Sequence, residues 1–302
     1  MGFRLRNVPL LSRVGADRSD NLRTDIDAAV AGWVDAALIR VDSRNQVMAC
    51  GGRVVLGAAA EAGDRPPSDA VFLGRIADGR HVWAVRAPLE AVEGSDVVDL
   101  RRGGSSFDDV SAQLVASAVA LLNWHDHARF SPVDGSPTVP VKAGWARLNP
   151  LGGHEEFPRI DPAIICLVHD GGDRCVLARQ TVWPERLFSL IAGFVEAGES
   201  FETCVAREVA EEIGLDVRDV EYLGSQPWPF PRSLMVGFHA IGDPDQEFVF
   251  SDGEIAQAEW FTRAEVREAL EHGDWSSDSQ SRLLLPGSIS IAREIIESWA
   301  AL

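Results

Sequence analysis

Lysine is almost missing from this sequence: Lys142 is the only one among 28 basic side chains. We read that as a coding preference for arginine and attach no mechanism to it. Cysteine is sparse too. Cys50, Cys166, Cys175 and Cys204 are scattered and form no Cys-x-x-Cys pair. That excludes a cysteine-rich zinc site and a disulfide-stapled miniprotein, and it suits a reducing, cytoplasmic setting. No run of 18 apolar residues occurs, so no membrane span is expected. The opening MGFRLRNVPLLSRVG carries no apolar signal core, so no secretory leader is expected. Internal repeats and low-complexity tracts are absent.

What is present is ordinary in amount and uneven in placement. The 302 residues are 46% apolar and 25% charged, enough for two domains with a core each. Residues 1–150 carry 17 basic and 18 acidic side chains, while residues 151–302 carry 11 and 28. A second half so acidic repels nucleic acid and phosphate ligands unless cations intervene. For most of those acids a solubility surface is sufficient explanation.

Patterning predicts an α+β N-terminal domain over 1–128. Strands are expected at Ala37–Val41 and Arg53–Leu56, and a hairpin joins Val71–Ile76 to His81–Val85 through Asp78-Gly79. A helix over Asp108–Trp124 turns Val110, Leu114, Ala118, Leu121 and Leu122 to one stripe. Residues 129–157 form a Pro- and Gly-rich connecting module. Residues 158–302 alternate in type, with strands at Ile164–His169, Cys175–Arg179, Phe188–Ile191, Val217–Gly224, Leu234–Ile241 and Ala258–Phe261. Helices are expected at Ser200–Ile213, Arg263–Glu271 and Ile289–Trp299, which together predict a mixed sheet flanked by helices, an α/β arrangement.

The helix at Ser200–Ile213 breaks the usual amphipathic rule. At about 100° per residue, Phe201, Cys204, Val205, Val209 and Ile213 make one apolar arc. Glu208 and Glu212 fall inside that arc and Glu211 on its border, where a solvated acidic face would lie opposite. Like charges about 6 Å apart repel by roughly 2–3 kcal/mol at an effective dielectric near 20. Burial adds to this, and Arg207 alone does not neutralise three anions. Bound divalent ions resolve the conflict, and oxygen-only ligands favour Mg²⁺ or Mn²⁺.

The segment that contains this helix, GFVEAGESFETCVAREVAEEIGL from Gly193 to Leu215, resembles the Nudix box. All nine specified positions match, a coincidence of order 10⁻¹⁰ per window on average residue usage. The resemblance implies a C-terminal Nudix α/β/α sandwich and hydrolysis of a nucleoside diphosphate linked to another group. It implies that Glu208 and Glu212 are metal ligands with the carbonyl of Ala192, that Glu211 is a further or outer ligand, and that Glu199 and Arg207 form a structural ion pair. Gly193 and Gly214 fit backbone positions that a Cβ would obstruct.

Downstream, Ser225-Gln226-Pro227-Trp228-Pro229-Phe230-Pro231-Arg232-Ser233 places prolines at alternate positions, which predicts a stiff extended segment displaying Trp228 and Phe230. Beside the box, this run is similar to the signature of the NADH pyrophosphatase branch of the Nudix superfamily. That likeness implies that residues Gln226 to Ser233 contact a dinucleotide, that Phe194 and Phe157 stack on its nicotinamide side, that Glu254 is a later metal ligand, and that Ala292 contacts substrate. It also implies two or three Mg²⁺ or Mn²⁺ ions per site, NAD(H) as substrate, NAD-capped RNA as a second one, and a homodimer. Glu212 is the residue expected to orient or deprotonate the attacking water.

Many members of that branch carry a four-cysteine zinc ribbon between their domains. Here the four ligand positions fall at Ser131, Asp134, Asn149 and Gly152, so no zinc is expected and the module is expected to pack around Trp145, Phe157 and the preceding helix. Two other readings stay open at this point: hydrolysis of ADP-ribose or dinucleoside polyphosphates, and a silent NAD sensor.

Overall fold

The structure is a computed structural model and describes residues 2–251, 253–277 and 279–302. Contacts divide it into two compact units. One comprises residues 13–160 with 228–232, and the other comprises residues 2–12, 161–227 and 233–302. The connecting module thus falls inside the first unit, and the N-terminal dozen residues inside the other.

The first unit opens with two short helices, α1 (Asp20–Thr24) and α2 (Ile26–Ala31). Strands β1 (Ala37–Val41), β2 (Gln46–Cys50), β3 (Arg53–Val54), β4 (Gly57–Ala58), β5 (Val71–Arg75), β6 (His81–Arg86) and β7 (Asp96–Asp99) follow. They make a sheet ordered β4-β1-β6-β5 and a smaller one ordered β3-β2-β7. The β5–β6 hairpin closes at Gly79, whose φ of +87° is the left-handed backbone that an Asp-Gly turn supplies. After a turn of helix, α3 (Leu100–Gly103), Asp108 caps α4 (Asp109–His127) by accepting from Ser111 N at 2.8 Å. α4 packs on β1, β5 and β6. It is buried on most of its circumference rather than along one stripe, because Ala112, Ala116 and Ala118 let neighbours approach on several sides.

Strands β8 (Val139–Val141), β9 (Ala146–Leu148) and β10 (Glu155–Glu156) turn the connecting module into a three-stranded antiparallel sheet. Trp145 anchors it as expected. Its Nε1 donates to the Phe72 carbonyl at 2.6 Å, and the Arg23 guanidinium lies 3.5 Å from its ring centroid. The preceding helix contributes through His125, whose Nε2 lies 2.8 Å from the Gly144 carbonyl. Phe157 departs from the expectation: its ring is 59% exposed and packs no core. At the four ribbon positions a polar clasp stands instead of thiolates. Asn149, fully buried, donates from Nδ2 to both Asp134 oxygens at 3.0 and 2.9 Å and accepts from the Leu151 and Gly152 amides at 3.0 Å.

The second unit contains β11 (Asp161–His169), β12 (Arg174–Gln180), β13 (Ile191–Phe194), α5 (Phe201–Ile213), β14 (Val217–Trp228), β15 (Ser233–Gly242), β16 (Ile255–Thr262), α6 (Arg263–Glu271) and α7 (Ile291–Ala300). Its sheet is mixed and ordered β14-β15-β11-β12-β16, with β13 pairing β11. β11 runs parallel to β15 and antiparallel to β13. Strand alternation makes the sandwich. Ile164, Cys166 and Val168 face a core shared with α5, while Ile165 and Leu167 face one shared with α6 and α7. β11 and β12 follow one another across a short turn and pair at His169 and Cys175. The expected strand at Phe188–Ile191 lies three residues later, as β13. No helix among the described residues is long and apolar enough to cross a membrane.

Candidate active site

The site is built on β13 and α5. Ser200 caps α5, accepting from Thr203 N at 3.2 Å. Gly214 ends it at φ +72°, and a Cβ there would also meet Val249 at 2.7 Å. Between these caps, Cys204, Val205, Val209 and Ile213 turn to the sheet. Glu212 shares their face and is 3% exposed. Glu208 is largely buried, and Glu211 stands at the border, more than half exposed. The helical projection anticipates all three placements.

Gly193 makes room for Glu208. It lies on β13 opposite Ile164, next to Ala192, and a Cβ built on it would come within 1.9 Å of Glu208 Cδ. Arg207 gathers the surrounding acids. Its Nε and Nη2 donate to the two oxygens of Glu199 at 2.8 and 3.0 Å, and Nη2 also reaches the Phe194 carbonyl at 3.0 Å. Its Nη1 donates to Glu208 Oε1 at 3.0 Å and Glu211 Oε2 at 2.8 Å. The two-pronged contact matches guanidinium to carboxylate and pins the loop before the helix to the helix itself.

The electrostatics divide the carboxylates. Hydrogen bonds from Arg207 and the Glu196 backbone hold Glu199 down at about 2. The same acids, Glu199 foremost, push the Arg207 guanidinium up and keep it charged. Glu208 moves the opposite way. Burial pushes its carboxyl above the usual range, and repulsion from Glu211 and Glu254 adds to this against the pull of Arg207.

Glu254 stands just before β16. It is held by Gln180, whose Nε2 donates to Glu254 Oε1 at 2.9 Å, while Thr181 N donates to the Glu254 carbonyl at 2.9 Å. Gln180 was not legible in the sequence. It sits where a bulge after Arg179 shifts the β12–β16 register, and only that pairing brings it to Glu254. Among the described residues, no three His, Cys, Asp or Glu side chains are gathered closely enough to hold an ion as they stand. The donor chemistry nonetheless fits a hard divalent cation. It is all oxygen, one carboxylate lies in a cradle that any side chain at 193 would fill, and the charge of that carboxylate is disfavoured where it sits.

The residues expected to contact a dinucleotide are placed unequally. Phe194 presents an exposed ring. Trp228 and Phe230 meet edge to face at 5.0 Å, with Pro229 buried, Ser233 half-buried, and Pro227, Pro231 and Arg232 exposed. The segment is extended as expected over 225–228, the end of β14, and departs from that only beyond it. It folds into a turn over 229–232 containing a cis Phe230–Pro231 bond, because proline fixes φ and leaves ψ free to reverse the chain. Phe157 lies in the first unit with the Lys142 ammonium 5.1 Å from its ring centroid. Two of these residues lie in the core. Gln226 is fully buried, donating to the Ile289 carbonyl at 2.8 Å and accepting from Ile291 N at 2.7 Å, so its side chain is committed to joining β14 to α7. Ala292 is buried too, on the face of α7 that carries Ile291, Ile295 and Ile296 into the core.

Family comparisons cover most of the chain. A NUDIX domain matches residues 159–281, an NADH pyrophosphatase zinc ribbon domain matches 126–157, and an NADH pyrophosphatase-like rudimentary NUDIX domain matches 33–124. The ribbon match falls on a stretch without cysteine. NAD-capped RNA hydrolase NudC of Mycobacterium tuberculosis (strain ATCC 25618 / H37Rv) is 73% identical over 303 residues, covering 99% of this chain and 97% of that protein. The mitochondrial NAD(P)H pyrophosphatase NUDT13 of Mus musculus is 39% identical over 219 residues, covering 71% of this chain and 62% of that protein. A solved NUDIX hydrolase from Nitrosomonas europaea aligns with a TM-score of 0.38 and 18% identity over 44% of this chain and 77% of that one. The chain therefore belongs to the NudC/NADH pyrophosphatase family of Nudix hydrolases.

Proposed function

We propose that this chain is a metal-dependent pyrophosphohydrolase that splits NAD(H) with water into AMP and nicotinamide mononucleotide, and that it removes NAD caps from RNA by the same cleavage. The observation that carries the reading is the Gly193–Glu208–Arg207 arrangement, in which buried and bordering carboxylates converge beside one guanidinium. Glu208, Glu212, Glu254 and the Ala192 carbonyl, with Glu211 nearby, would hold two or three Mg²⁺ or Mn²⁺ ions, which when bound would neutralise diphosphate charge and favour a nucleophilic water.

The protein's own groups do the rest. Arg207 fixes the loop from Glu199 so that the carboxylates keep their spacing. Glu212, buried on the sheet face of α5, orients the attacking water and takes its proton. Phe194 offers aromatic surface to substrate, as do Trp228 and Phe230, which Arg232 follows in the chain, and Phe157 stacks on the nicotinamide. In this reading the chain acts as a cytoplasmic homodimer and needs no zinc, the Asn149–Asp134 clasp standing in for the ribbon metal.

Product analysis tests the reading. NADH incubated with the chain and Mn²⁺ should yield AMP and the reduced mononucleotide, and NAD-capped RNA should yield a 5′-monophosphate end. Glu212→Gln should keep the fold and lose about 10²–10⁴-fold in kcat. A higher kcat/KM for ADP-ribose than for either NAD substrate would overturn the substrate, and NAD binding without phosphate-bond cleavage would overturn the enzyme.

A further inference from the structure

The ring expected to stack on nicotinamide already carries a cation. The ammonium of Lys142 lies 5.1 Å from the Phe157 ring centroid and donates to Glu155 Oε2 at 2.5 Å. All three residues belong to the first unit. Phe157 is 59% exposed, so ring surface remains for a second planar group. It directly follows β10, where the pairing of Glu156 with Arg147 fixes the start of its backbone.

The backbone is bent to put the lysine there. Lys142 and Ala143 are both left-handed, at φ +53° and +51°, although neither is glycine. Two such residues in succession persist only where the surroundings hold them, and strain of this kind gathers at functional positions. Here the surroundings do hold them. Ala143 is buried in the core around Trp33 and Trp83, the Gly144 carbonyl meets His125, and Trp145 donates to Phe72.

A ring with an ammonium over it discriminates by charge. The nicotinamide of NAD⁺ is a cation, and the dihydronicotinamide of NADH is neutral. On an unoccupied phenyl ring the cation would gain from the negative face. With Lys142 in place that attraction is already used, and two positive charges sharing one ring repel. The neutral ring escapes the repulsion and keeps its stacking. Glu155 offsets part of the ammonium's field, which limits the effect to severalfold.

We propose that Lys142, held by Glu155, makes the chain prefer NADH to NAD⁺ by acting through the ring of Phe157. Lys142 is thus a positioning residue that sets specificity and takes no part in the cleavage itself. The inference rests on the reading above, in which NAD(H) is split with Phe157 against the nicotinamide.

The test is steady-state kinetics of the full chain on NADH and NAD⁺ at saturating Mn²⁺. Lys142→Met should raise the ratio of kcat/KM for NAD⁺ to that for NADH by about three- to tenfold, with the change lying in KM. Lys142→Arg, which keeps a cation, should hold the wild-type ratio. In a Phe157→Leu background, Lys142→Met should no longer move the ratio, because the ring that couples the two charges is gone. Cleavage of both substrates with the same ratio in wild type and Lys142→Met would overturn this inference and leave the function standing. So would a shift that Lys142→Arg reproduces, or one that persists without the ring. Failure of the wild type to cleave either substrate would overturn the function and this inference with it.

Discussion

Gly193 and Glu208 share one small space: the hydrogen of the glycine faces a carboxylate that a Cβ would approach to 1.9 Å. Gly193→Ala should therefore displace Glu208 and leave the strand pairing with β11 intact. Loss of an ångström of placement at a reacting centre is worth about 100-fold in rate. We expect kcat to fall by that order, Mn²⁺ affinity measured by electron paramagnetic resonance to weaken, and the far-ultraviolet spectrum to stay unchanged. A variant with wild-type kcat would show that Glu208 is not needed where it lies.

Gln180 bears on the same chemistry from the other side. Its side-chain amide bonds Glu254 at 2.9 Å, which makes it a positioning residue for a carboxylate expected to hold metal. Outer groups of this kind typically change metal affinity by 10–100-fold. Gln180→Ala should raise the Mn²⁺ concentration needed for half-maximal rate by about tenfold and restore most of kcat at saturating Mn²⁺. A loss of kcat that saturating metal does not repair would mean that Gln180 acts on substrate.

The box was readable because its constraints are local. Glu208, Glu211 and Glu212 lie within five residues, one helix fixes their relative directions, and Gly193 and Gly214 mark where backbone must come close. β1, a short apolar run, and α6, a short amphipathic segment, are likewise legible. Gln180 was not, since its role comes from a bulged register with a strand about 75 residues away. Gln226 is legible as a motif position, but that its amide bonds Ile289 and Ile291 is a matter of packing. β2 and β7 are not legible in the sequence, because their pairing, Met48 opposite Val97, is a matter of topology and neither segment carries a strong alternation.

The clasp at Asn149 makes the fate of the ribbon testable. Asn149 uses both ends of its amide, toward Asp134 and toward the backbone of Leu151 and Gly152, and all of this is done in a buried position. Replacing it by Ala would remove these four hydrogen bonds, each worth about 0.5–1.5 kcal/mol net, since their partners Asp134, Leu151 and Gly152 are exposed and can turn to water. Asn149→Ala should lower Tm by several degrees, whereas a zinc-selective chelator should leave the Tm of the wild type unmoved and elemental analysis should find no stoichiometric zinc. A chelator-dependent Tm would restore a metal to this module.

A last prediction concerns acid. His169 and His239 lie side by side on β11 and β15. Nδ1 of His169 accepts from Gly171 N at 3.0 Å, which leaves its proton on Nε2, 3.2 Å from His239 Nδ1. Burial, and then the neighbouring His239, pushes His169 down to about 4, and burial lowers His239 as well. The ordinary value is 6.5, so between 6.5 and about 4 the unfolded chain binds a proton that the folded chain refuses. Stability must then rise with pH across that window and be lost as pH falls through it. The Tm of wild type should drop between pH 7 and 4.5, and His169→Gln, whose amide keeps an acceptor for Gly171 and a donor for His239 without titrating, should flatten part of that slope. Parallel Tm–pH curves for the two proteins would place the acid sensitivity elsewhere.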